Sequence, residues 1–287
     1  MTVSGKPSSP GGDSDYIASL VRSHDRPRYY SALFAPAGKR QHLMALYAAN
    51  TEIRRIPESV SEPGLGEIRL QWWHDAIAAA GGGGGETPVM RALGEAIRTC
   101  RLPQNALEAL VEARRGELYS DAPPTLEDLE GHYGATESAL FQLACLVLGS
   151  KGAETADAAG HAGIAYGLAT DLAGLPAVRR AGRQIASADL LEIYDVDAQA
   201  MFGETPPDAF EPLFSHLVDH ARRHLASARA AVRSVPGSCR PAFLPLASIF
   251  GLLARVHKDR DRIWTTPSGL SDLAVLLRTT RAALFGV

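Results

Sequence analysis

The sequence predicts an all-α fold, a bundle of helices around one core. Apolar residues recur with helical spacing along almost every segment, and no segment alternates β-branched residues between turn signals. Pro57 and the glycine run at 81–85 fall where that period lapses. Apolar residues make up 46% and charged residues 21% of the 287, close to a soluble globular average and sufficient for a sizeable core. No internal repeat is visible. The expected organisation is a disordered lead over residues 1–13, rich in Gly, Ser and Pro, followed by a single all-α domain over 14–287.

Tyr16, Leu20 and Val21 form the first apolar stripe, with Ser14 as its expected N-cap. A long helix follows over 42–55, with Leu43, Leu46, Tyr47 and Asn50 on one face. Pro57 should kink or end it, because proline lacks the N–H and clashes with the preceding turn. The next helix spans 65–80 and carries adjacent Trp72 and Trp73, whose side chains point roughly 100° apart. One of the two should pack in the core. The glycines at 81–85 cannot stay helical and read as a surface loop. Further helices are expected over 88–99, 103–119, 125–149 and 155–175, then 187–194, 208–235, 240–258 and 268–285.

Several function classes are excluded. The net charge of −3 with scattered basic residues offers no nucleic-acid-binding face. Cys100, Cys145 and Cys239 lack the spacing of a zinc site or a disulfide framework and read as free thiols. The N-terminal stretch has neither a signal-peptide core nor the character of a transit sequence. Apolar runs such as 139–148 fall short of the ~20 residues needed to cross a bilayer. The expectation is a soluble, cytoplasmic protein, with peripheral contact to the inner membrane left open. The glycine run lacks the Lys-Ser/Thr ending of a phosphate-binding loop. His216, His220 and His224 recur every four residues, a spacing that can ligate zinc. No further ligand is evident, so the stripe reads as a partly exposed helix face and no metal ligand is assigned.

Four stretches carry more specific information: RYYSALFAP, ALYAANTEIRR, VSEPGLGEIRLQWW and PAFLPLA. In this order they resemble the squalene/phytoene synthase family, which joins isoprenoid diphosphates head to head. The resemblance covers nearly all of the chain after the lead and implies an isoprenoid-synthase bundle around a central cavity. Within the family the chain is most similar to the divergent branch of respiratory complex I (NADH dehydrogenase) assembly factor 6 and its bacterial relatives. AANTEI, the VSE run before the aromatic pair, and the YGATESAL stretch carry that likeness.

Active members neutralise the departing diphosphate with Mg²⁺ held by two Asp-x-x-x-Asp pairs, each pair on one helix face. Here the first pair falls on Arg54 and Glu58, and the second on Gly174 and Val178. Three of the four positions have no carboxylate. Acidity survives at Glu117, in RRGEL, and at Asp171, one turn before Gly174. Asp171 shares a helical face with apolar Ile164 and Leu168, which points it inward. It then pairs with Arg54 or Arg55 of the opposing helix, lies on a solvated edge, or serves as a surviving metal ligand. The resemblance implies that Tyr47, Asn50, Arg54, Tyr166, Arg180 and Arg183 contact any substrate. Arg179, Arg180 and Arg183 also read as a basic cluster, either solvated and complementing a helix dipole or suited to a diphosphate or anionic headgroup.

Three functions follow from these residues. The first is a binding or assembly factor of the respiratory complex I type, without catalysis, cofactor or metal, and with respiratory-complex subunits as partners. The second is a working prenyl transferase using Glu58, Glu117 and Asp171 with Mg²⁺. The third is a lipid-binding module whose cavity holds an isoprenoid.

Overall fold

In the computed structural model, which describes residues 10–80 and 85–287, no strand occurs among the described residues and every regular element is helical. Helix α1 (Pro10–His24) begins before the lead was expected to end. Residues 10–13 are therefore helical, Ser14 lies inside the helix rather than capping it, and residues 1–9 fall outside the described residues. Asp13 in this first turn pairs with Arg91 at 2.6 Å, which ties the start of α1 to a later helix.

Helix α2 (Arg26–Leu33) has no counterpart in the sequence-based expectations. Its signal is local: Asp25 accepts a hydrogen bond from the Arg28 N–H, and Pro27 sits in the first turn, where a missing N–H costs nothing. Helix α3 (Ala37–Arg54) starts earlier than the expected residue 42 and stops just before Arg55. Pro57 then opens the short α4 (Ile56–Ser59), so the expected break occurs at the expected place. Helix α5 (Pro63–Ala79) buries Trp73 and leaves Trp72 37% exposed, with the two rings edge to face at 5.3 Å. Of the glycine loop, residues 81–84 lie outside the described residues.

After α6 (Pro88–Cys100) and α7 (Gln104–Ala113), the expected continuous helix to 119 tightens into a 3₁₀ turn, Arg115–Leu118. The expected helix over 125–149 is likewise divided. It comprises α8 (Leu126–Tyr133), a π-helical turn (Gly134–Ser138) and α9 (Ala139–Val147). Helix α10 (Ala156–Ala173) ends at Gly174, and α11 (Leu175–Arg180) restarts with Pro176 in its first turn. The remaining helices are α12 (Ala188–Ile193), α13 (Phe210–Val232), α14 (Arg240–Phe243), α15 (Leu246–Lys258) and α16 (Asp272–Phe285).

Helix α10 is the hub, packed against α13, α15, α9 and the π turn. Its small residues make this possible. A Cβ at Gly163 would collide with the Ser138 backbone, and one at Gly167 would enter the Tyr133 ring. Both glycines therefore let the π turn and the end of α8 lie directly on α10. A contiguous apolar core runs from Ile17 to Trp264 and draws on nearly every helix. Cys145 and Cys239 are buried free thiols and Cys100 a half-buried one. Within Gly237–Lys258 an 18-residue window has a mean hydropathy of 1.3, so the stretch is long and apolar enough to cross a membrane, but 61% of that window is buried within the fold.

Candidate functional site

At the centre of the bundle, four carboxylates and four guanidiniums alternate in one connected chain. It begins at Asp25, whose Oδ2 accepts from Arg28 Nη1 at 3.0 Å. Arg28 is 1% exposed. Its guanidinium lies over the Tyr166 ring at 4.1 Å and faces Phe141 at 5.2 Å and Tyr47 at 5.8 Å. Aromatic faces attract a desolvated cation, so this box helps retain a charge that burial alone would expel. The Tyr166 hydroxyl in turn donates to Asp25 Oδ1 at 2.6 Å.

The π turn supplies the next member. The extra residue in that turn re-aims its side chains, a use typical of π bulges. Glu137 accepts from Arg28 Nη2 and from Arg114 Nη2, each at 2.8 Å. Arg114, at the end of α7, also donates to Glu117 Oε1 at 2.7 Å, and His132 Nε2 lies 2.8 Å from the same oxygen. Arg183 Nη2 approaches that oxygen at 3.7 Å and donates to Asp171 Oδ2 at 2.7 Å. The Tyr133 hydroxyl donates to Asp171 Oδ2 at 3.0 Å, and Arg54 Nη2 closes the chain 3.8 Å from Asp171 Oδ1.

The electrostatics are mutually supporting. Burial works against ionisation of Glu137, but Arg28, Arg114 and Arg54 outweigh it and bring its pKa down to about 2. Glu117 is likewise held well below the usual carboxylate range, with Arg114 and Arg183 overcoming its burial. Burial lowers the affinity of Arg28 and Arg183 for their protons, yet their acidic neighbours win and raise both pKa values. Burial, then the adjacent aspartate, pushes the Tyr133 and Tyr166 phenols well above their ordinary range.

Asp171 points inward, as its helical face implied, but its closest partner is Arg183 rather than Arg54. Glu117, Tyr47 and Tyr166 also join or line the network, and Asn50 is buried one turn before Arg54 on α3. Glu58 and Arg180 are exposed and stand outside it. The three-arginine cluster is not a patch. Arg179 donates to the carbonyls of Met201, Gly203 and Trp264 and lies 3.5 Å from the Trp264 ring centroid, so it stitches two loops together. Asp25, Arg28, Arg114, His132 and Glu137 escaped sequence reasoning. Only the D-R-P-R cap before α2 and the RRGEL run held a local signal for any of them.

Beside the network lies a cavity of ≈ 230 Å³ lined by Asp25, Arg54, Tyr166, Thr170, Ser248 and Leu252, among others. Ligand pockets for drug-sized molecules usually run from ~300 to 1,000 Å³, so this one is small.

A profile of squalene/phytoene synthase matches residues 21–280. The chain is a member of the squalene/phytoene synthase family. Among curated relatives, human NADH dehydrogenase (ubiquinone) complex I, assembly factor 6 is 27% identical over 254 residues, covering 88% of this chain and 76% of the relative. The Drosophila melanogaster homolog of that factor is 28% identical over 261 residues, covering 86% and 76%. A squalene synthase from Alicyclobacillus acidocaldarius superposes with a TM-score of 0.72 at 22% identity, covering 89% of this chain and 95% of that one. A dehydrosqualene synthase solved with a ligand reaches 0.75 at 15% identity, covering 96% of each. These likenesses establish the isoprenoid-synthase fold.

Family members that condense prenyl diphosphates use Mg²⁺, and the residues here do not fit it. Arg54 replaces a carboxylate at the first motif, Glu58 is exposed, and Val178 is buried in the apolar core. Glu117 Oε2 makes no hydrogen bond among the described residues. Its carboxylate nevertheless sits between Arg114 and Arg183, whose positive charge disfavours a dication there. Four guanidiniums already balance the four acids.

Proposed function

We propose that this squalene/phytoene synthase family member acts as a non-catalytic binding and assembly factor for a respiratory NADH dehydrogenase. The observation that carries this reading is the continuous Arg–carboxylate chain from Asp25 to Arg54, which occupies the centre of the bundle. Its guanidiniums take up the carboxylates that a metal–diphosphate cluster would need. The likeness to the assembly factor 6 proteins over most of both chains supports the choice of partner. The small cavity beside Arg54 leaves room for part of a lipid or isoprenoid chain rather than for two prenyl diphosphates. In this reading the protein works in the cytoplasm beside the inner membrane, where such a complex is built.

The test is deletion in the native host, followed by native gels stained for NADH oxidation and by lipid extraction. The expected outcome is loss of assembled dehydrogenase with isoprenoid products unchanged. Intact dehydrogenase with a missing squalene- or phytoene-type product would overturn the proposal and favour the transferase reading.

A further inference from the structure

Away from the central network, the fold completes a cluster that the sequence showed only in part. His220 and His224 lie one turn apart on α13, and α8 brings Glu130 against them. Glu130 Oε1 is 2.7 Å from His220 Nε2 and 3.4 Å from His224 Nε2. The three donor atoms all lie within 4.8 Å of one another. A tetrahedral zinc site with bonds of ~2.0–2.2 Å places neighbouring donors roughly 3.3 Å apart. Modest side-chain rotations would bring these three atoms to that spacing.

We propose that Glu130, His220 and His224 bind a divalent transition-metal ion of the zinc type, tying α8 to α13. Two imidazoles and one carboxylate are a donor set that zinc accepts, with the fourth position left to water. Glu130 is 30% exposed at its side chain, which gives the ion an entry path and room for that water.

The surroundings match those of a metal site. His161 on α10 places its Nδ1 3.0 Å from His224 Nδ1, able to accept the N–H that remains when His224 Nε2 ligates. Arg223 Nη2 lies 3.0 Å from His220 Nδ1 but belongs to an exposed side chain, free to swing aside. His216, the third member of the stripe, turns instead to the Tyr194 hydroxyl at 2.9 Å. The cluster is thus selected by the fold and not by the four-residue spacing, which His216 shares.

The experiment uses the full chain, purified without a polyhistidine tag, stripped with EDTA and titrated with Zn²⁺ by calorimetry and with Co²⁺ by visible absorption. One ion per chain is expected, with the absorption of tetrahedral Co²⁺ and a rise in Tm on adding Zn²⁺. Glu130→Gln and His224→Gln should each weaken binding by at least ~10–100-fold, and His161→Gln by about 10-fold. His216→Gln should leave it unchanged. Should His224→Gln fail to fold, Glu130→Gln decides, because its side chain is the more exposed of the two. Absence of one-to-one binding, or affinity unchanged in Glu130→Gln, would overturn the assignment. Loss of affinity in His216→Gln equal to that in His224→Gln would overturn it too.

Discussion

Replacing Asp171 by alanine strands two arginines of unequal exposure, and their separate contributions can be measured. The Arg183 side chain is 9% exposed and sits 2.7 Å from Asp171 Oδ2, whereas that of Arg54 is 26% exposed and 3.8 Å from Oδ1. Removing one side of a buried ion pair typically destabilises by ~3–5 kcal/mol, because the remaining charge is left uncompensated. A domain with a total stability of ~5–15 kcal/mol still folds after that loss. Two double-mutant cycles in urea apportion it, pairing Asp171→Ala with Arg183→Met and with Arg54→Met. The coupling to Arg183 should be ~2–3 kcal/mol, in the upper range for residues in direct contact. The coupling to Arg54, long and partly solvated, should stay below ~1 kcal/mol. Replacing both Asp171 and Arg183 by apolar residues should recover much of the single-mutant loss. A coupling to Arg183 of zero within error, or one smaller than that to Arg54, would refute the assignment of Arg183 as the main partner. The denaturant slope must stay constant across the series for the comparison to hold.

Other outcomes follow from the same geometry. Glu137 has a folded-state pKa of about 2 against an ordinary 4.5, so its contribution is complete above pH 4.5 and is lost as pH falls towards 2. That shift corresponds to ~3 kcal/mol, and acid titration of unfolding free energy in Glu137→Gln should flatten in this window relative to wild type. Incubation with Mg²⁺ and farnesyl or geranylgeranyl diphosphate should release no diphosphate above background, since a single electrostatic group is worth ~10²–10³ in rate. Mg²⁺-dependent release that disappears in Asp171→Ala would refute this. Gly163→Ala, whose Cβ would collide with the Ser138 backbone, should destabilise by ~1–3 kcal/mol, visible as a lowered Tm. Arg179→Ala removes three carbonyl contacts and should speed proteolysis between residues 195 and 209, with little effect on the α10 core.

Helical period, proline positions and the motif stretches made the bundle legible from the chain alone. Helix boundaries were less so where tertiary contacts interrupt a good pattern. The π turn at Gly134–Ser138 lies within a stretch whose spacing reads as continuous helix, and it rests on α10 at Gly163, where a Cβ would collide with Ser138. Helix α2 was missed because eight residues carry too little period to register, and its cap depends on one aspartate.

The loss of carboxylates at Arg54, Gly174 and Val178 is a property of the chain itself, and so is the inward face of Asp171. Covalent spacing along a helix settles which residues share a face, and no folding is needed to read it. Which charge neutralises which is another matter. Arg183 reaches Asp171 across a separation of twelve residues because the chain breaks at Gly174 and folds back past α11. Glu130 meets His220 across ninety residues because α8 and α13 both pack on α10. Ion pairs and ligand sets act over a few ångströms, and distances that short between remote residues exist only once the helices have docked.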